Sequence, residues 1–126
     1  MILFHRTLVS LARAIVKEGF TDEKWGFGDD EQTGRALTAV GVWLTDRPVD
    51  LDDGPPGAAV LEVELEASEE ELAAFEIHGV LEGARLFVVP AGFVNPRANV
   101  RISGVDARSS WFHDQVDEGS DEAGTA

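Results

Sequence analysis

The sequence predicts a single α+β domain with a mostly antiparallel or mixed sheet and one or two short helices. Three observations carry that expectation. Apolar runs of strand length recur at residues 2–4, 39–44, 59–65 and 86–89. Helical periodicity is confined to two short stretches, so the order runs strand, helix, strand, strand, helix, strands, an α+β pattern. A length of 126 residues fits one compact core.

Residues 2–4, Ile-Leu-Phe, form a run without alternation, as in a strand buried on both faces, and His5-Arg6-Thr7 marks its exit. Over residues 10–18 the apolar positions Leu8, Leu11, Ala12, Ile15 and Val16 recur at helical spacing, with Thr7 or Ser10 as the cap and Gly19 as the stop. Residues 20–37 mix turn formers with the isolated aromatics Trp25 and Phe27, which predicts a long surface loop with one helical turn. Such a loop either lids a pocket or plugs the core's edge with its aromatics. The second strand, residues 39–44, stops at Asp46-Arg47-Pro48, and residues 49–57 form a turn-rich connection.

Residues 59–65 alternate cleanly, Val60, Glu62 and Glu64 interleaving with Leu61, Val63 and Leu65, so one face of this strand is wet. Ser68-Glu69-Glu70-Glu71 has the form of a capping box and opens a short helix to about Phe75. Residues 76–80 read as a strand, Glu82-Gly83 as a turn, residues 86–89 as a buried strand ended by Pro90, residues 90–96 as a turn or one helical turn, and residues 99–105 as the final strand. Beyond Asp106 the composition turns acidic and small. The expectation is a domain over 1–105, on which Trp111 and Phe112 could dock, and a partly disordered acidic tail over 106–126.

Twenty-four Asp and Glu against ten Lys and Arg give a net charge of −14, which repels nucleic-acid phosphates and anionic membranes. This acidity is either a solubility or high-salt adaptation, or a mimic of nucleic-acid phosphates. The absence of cysteine excludes disulfides, thiolate catalysis and cysteine-ligated zinc. No apolar run approaches the roughly 18–20 residues of a membrane span, and the first nine residues lack the form of a signal peptide, so a cytoplasmic location is the expectation. His5, His78 and His113 are too scattered for a metal site, no Gly-x-Ser-x-Gly elbow occurs, and Gly26-Phe27-Gly28 lacks the spacing of a dinucleotide fingerprint.

Phe4-His5-Arg6-Thr7, the helix ending in Glu18-Gly19-Phe20, and Gly41-Val42-Trp43-Leu44-Thr45 together resemble the ADP-ribosyltransferase family. Val60-Leu61-Glu62-Val63 and Val89-Pro90-Ala91 extend the likeness over about the first 105 residues. The resemblance implies a split mixed or antiparallel sheet and a cleft for NAD, as substrate, formed by His5, Arg6, Thr7, Gly41, Val42 and Trp43. In it His5 and Thr7 hold the adenine-side ribose and Trp43 faces the nicotinamide. The implied activity is transfer of ADP-ribose with release of nicotinamide, through an oxocarbenium-like state that a carboxylate stabilises.

Two departures from the family pattern bear on that activity. Trp43 stands where tyrosine is commoner, and Leu86 falls at the catalytic glutamate, a loss on the order of 3 kcal/mol unless another acid replaces it. Glu82, or else Glu76, is the candidate substitute, and Arg85 is the candidate partner for a pyrophosphate. The other readings are a catalytically inactive descendant that binds a protein partner, and an acidic mimic. Each residue also has a structural alternative: His5 as a satisfied strand-end group, Trp43 as core, Arg6 and Arg85 as bridges to surface acids.

Overall fold

The computed structural model describes residues 1–29, 32–48 and 57–105. Residues 49–56 of the expected connection and the whole expected tail, 106–126 with Trp111, Phe112 and His113, lie outside the described residues. The chain runs β1 (Ile2–Thr7), α1 (Val9–Glu18), β2 (Glu23–Asp29), β3 (Ala36–Thr45), β4 (Ala59–Leu65), α2 (Glu69–Ala73), β5 (Glu76–Ile77), β6 (Leu86–Val89), α3 (Ala91–Val94), a 3-10 turn (Asn95–Arg97) and β7 (Ala98–Val105). It is a small α+β protein, with seven strands ordered β5-β6-β3-β1-β4-β7 and β2 attached to β3. All of the described ladders are antiparallel.

The core lies on one face of the sheet. Leu3, Leu44, Leu61, Val63, Phe87 and Val89 are all buried there. Ala12 from α1, Leu72 from α2 and Val94 from α3 close over them. The alternation in β4 does what its pattern implies: Ala59, Leu61, Val63 and Leu65 turn inward while Glu64 is exposed.

The start of α2 also follows its sequence. Ser68 Oγ accepts from the Glu71 backbone N–H at 3.1 Å, and Glu71 accepts in return from the Ser68 N–H at 2.9 Å. Gly19 ends α1 at φ 94°, donating its N–H to the Ile15 carbonyl. The start of α1 differs: Leu8 occupies the cap position and no side chain caps it, so neither Thr7 nor Ser10 has that role.

Other elements depart from expectation for physical reasons. β1 continues through His5, Arg6 and Thr7, because each is opposed by a residue of β4, so the strand does not exit at His5. Residues 20–37 are not a long loop: Glu23–Asp29 pairs with the first half of β3 as a hairpin. Trp25 and Phe27 alternate with glycines, a period of two in which Gly26 and Gly28 supply no polar side chains to reveal it. The strand expected at 76–80 shrinks to Glu76–Ile77.

Candidate functional site

β3 is ten residues long and belongs to two ladders. Its first half, Ala36 to Gly41, is registered with β2; its second half, Val42 to Thr45, with β6. β1 is registered with it only at Phe4–Thr45, so β1 and β2 part company along β3. Gly41 marks the junction. Its φ is 155°, and a Cβ there would stand 2.8 Å from the Val89 carbonyl oxygen, so the close approach of β6 requires glycine.

Between β1, the second half of α1 and the start of β2 lies a partly open hollow of about 200 Å³. Its walls include His5, Thr7, Gly41 and Val42, and the structure adds Trp25, Glu18 and Glu23. Leu11 and Ala14 supply an apolar side from α1, where spacing of three and four residues puts Leu11, Ala14, Ile15 and Glu18 along one stripe.

His5 and Thr7 are the buried polar groups among the described residues of this hollow, each only 6% exposed. His5 shares the core face of β1 with Leu3, and its ring meets Phe20 edge-on at 5.1 Å and 82°. Nδ1 lies 2.7 Å from the Trp43 carbonyl oxygen. A carbonyl only accepts, so Nδ1 carries the proton and Nε2 is left with its lone pair. Burial lowers the His5 pKa from its ordinary 6.5, the bond to the Trp43 carbonyl acting in the opposite direction. The imidazole is therefore neutral at pH 7, and Nε2 is an acceptor without a partner among the described residues.

Trp25 plays a matching part. Its Nε1 donates to the Gly41 carbonyl at 3.0 Å, two residues along β3 from the carbonyl that His5 bonds. Where β1 and β2 separate, an indole and an imidazole thus occupy backbone acceptors of the strand between them.

Trp43 does not share this cavity, which corrects the expected pairing of His5 with Trp43. Because Phe4 faces Thr45 across the β1–β3 pair, His5 lies on the face of Leu44 and Trp43 on the face of Phe4 and Arg6. Its ring is packed between Phe27, stacked at 5.7 Å and 28°, and Trp25, tilted at 5.3 Å. The space left beside it is about 10 Å³, too little for any ligand ring.

The remaining expected residues lie elsewhere. Arg6 is buried on the Trp43 face, where one guanidinium nitrogen donates to the Gly57 carbonyl at 3.0 Å, so it neither borders the hollow nor bridges surface acids by this bond. Arg85 grips Glu76 through two nitrogens, at 3.1 and 2.9 Å, and reaches Glu69 at 3.0 Å. Its guanidinium also covers the Phe87 ring. These hydrogen bonds raise the Arg85 pKa and lower that of Glu76, as in an ion pair fixed at the surface.

Glu82 is exposed in the bend before β6. It sits at the Leu86 end of that strand, whereas the hollow lies beside Gly41 and Val42 at the Val89 end, so it is not the acid of this cavity. Leu86 is 1% exposed and apolar. The carboxylates that do border the hollow are Glu18, at the end of α1, and Glu23, which β2 holds opposite Gly41 of β3. Among the described residues no group of three or more His, Cys, Asp or Glu is placed to hold a metal, and no helix is long and apolar enough to cross a membrane. No protein-family model, no curated protein and no solved structure matches this chain, so the reading of the hollow rests on its own geometry.

Proposed function

We propose that the hollow is a nucleoside site that receives the nicotinamide-ribose end of NAD or of a related nucleotide, in a small divergent protein of ADP-ribosyltransferase-like fold. The observation that carries this is the neutral, buried His5, whose Nε2 meets the cavity as an acceptor suited to a ribose hydroxyl. Thr7 adds a hydroxyl beside it, and the Trp25 indole offers a flat surface for a ring. The parting of β1 and β2 along β3 is in keeping with the split sheet that the sequence resemblance implies.

About 200 Å³ is below the roughly 300 Å³ at which pockets for drug-sized ligands begin, so a sugar and one ring enter and the rest of a dinucleotide lies outside. Cleavage of the nicotinamide-ribose bond sends its electron pair onto the departing nicotinamide and leaves an oxocarbenium sugar. An acceptor nucleophile then bonds the sugar and gives up its proton. Glu18 and Glu23 are the carboxylates near enough to the hollow to stabilise that cation, in the role first given to Glu82.

A second reading, a binding module without turnover, is favoured by the apolar, buried Leu86 at the expected glutamate. A titration of Trp fluorescence with NAD and with nicotinamide riboside, alongside a nicotinamide-release assay, separates the two. Binding with release that Glu23→Gln abolishes supports the enzyme. Binding without release supports the module, and no binding of either ligand refutes the nucleoside site.

A further inference from the structure

Among the described residues, those lining the hollow present acceptors and no cation. His5 offers a lone pair at Nε2, and Glu18 and Glu23 bring carboxylates from the end of α1 and the start of β2. None of the described residues lining it is Lys or Arg. Arg85, the cation expected to meet a pyrophosphate, is already forked onto Glu76 and bonded to Glu69. Trp25 contributes an aromatic ring, which attracts a cation over its face, and Leu11 and Ala14 supply an apolar side against which a planar ring can lie. A net charge of −14 for the whole chain adds a long-range field of the same sign.

We infer that the hollow selects a phosphate-free organic cation of nucleoside size. A pyridinium ribonucleoside is the member of that class that uses every feature: positive charge beside Glu18 and Glu23, a flat ring for Trp25, and a sugar hydroxyl for the His5 acceptor. A phosphate on the sugar is then a liability, because it brings negative charge to an acidic rim with no cation to receive it. This inference rests on the reading of the hollow as a nucleoside site and adds to it the charge of the preferred ligand.

The test is calorimetric titration of the full chain with four probes: nicotinamide riboside, its reduced neutral form, nicotinamide mononucleotide and NAD. The riboside is expected to bind at least tenfold tighter than the reduced form, which has nearly the same shape without the charge, and at least tenfold tighter than either phosphorylated ligand. The double substitution Glu18→Gln with Glu23→Gln, at two exposed positions, is expected to leave the thermal transition in place and to weaken the riboside at least tenfold while leaving the reduced form unchanged. Mononucleotide or NAD binding as tightly as the riboside overturns the selectivity while leaving the nucleoside site standing. So does a riboside affinity unmoved by the double substitution. Failure of all four probes to bind a protein whose circular dichroism shows it folded overturns both.

Discussion

His5→Phe isolates the hydrogen bond that joins β1 to β3 at the hollow. A phenyl ring keeps the edge-on contact with Phe20 and has the neighbouring cavity to extend into, but it offers nothing to the Trp43 carbonyl. A buried acceptor left unsatisfied costs about 1–3 kcal/mol. For a domain near this size each kcal/mol lowers the melting temperature by roughly 4 °C or more. The same substitution removes a pH dependence whose sign follows from burial. The folded His5 has a pKa below its unfolded value of 6.5, so below that pH the unfolded chain binds more protons. Stability from this group is complete above pH 6.5 and declines as pH falls, by up to about 1.4 kcal/mol per pH unit until the folded pKa is reached.

Melting curves of wild type and His5→Phe from pH 8 to pH 5 read both effects. Glu18 and Glu23, which line the hollow with His5, are present in both proteins. The expected result is a variant less stable at pH 8 whose deficit narrows toward pH 5. A wild-type melting temperature that stays level over this range, or a variant that keeps the full wild-type slope, would refute the assignment of a neutral, buried imidazole.

Gly41→Ala drives a Cβ against the Val89 carbonyl at an unfavourable φ and should destabilise by about 1–3 kcal/mol or more in urea unfolding, with the β3–β6 ladder disturbed. Trp25→Phe removes the donor to the Gly41 carbonyl and should lower stability by about 1 kcal/mol, together with ligand binding in the fluorescence-independent calorimetric assay. Ser68→Ala removes the Oγ acceptor of the capping box and should cost about 1 kcal/mol without altering ligand binding. Glu76→Gln should flatten the acid limb of stability: Arg85 lowers the Glu76 pKa from 4.5, so that stabilisation is present above pH 4.5 and is lost as pH falls through the folded value.

Local chemistry was readable where it is self-contained. The alternation in β4, the capping box before α2 and the glycine after α1 each depend on residues only a few positions apart. β2 was not readable, because Gly26 and Gly28 leave its alternation unmarked and its partners lie in β3, across a connection from which no pattern within β2 can be read. His5, Thr7, Gly41 and Val42 line one hollow. The orientation of Trp43 did not follow from sequence, since which face an indole takes depends on the register of β3 against β1, and a shift of one residue reverses it. Trp25 could not be recognised as a neighbour of His5 either, because it reaches the hollow only through the pairing of β2 with β3.

The two aromatic donors that bond β3 carbonyls, His5 from β1 and Trp25 from β2, have a consequence for the solubility of the protein. A gap between neighbouring strands exposes main-chain groups to which the edge of another molecule can add, the usual route to sheet-mediated aggregation. In this chain an imidazole and an indole hold the Trp43 and Gly41 carbonyls in that gap, so the residues proposed to greet a ligand also shield the notch from strand addition. Substitutions of His5 or Trp25 therefore combine a weakened cavity with a stickier edge, and light scattering belongs beside every affinity measured on them.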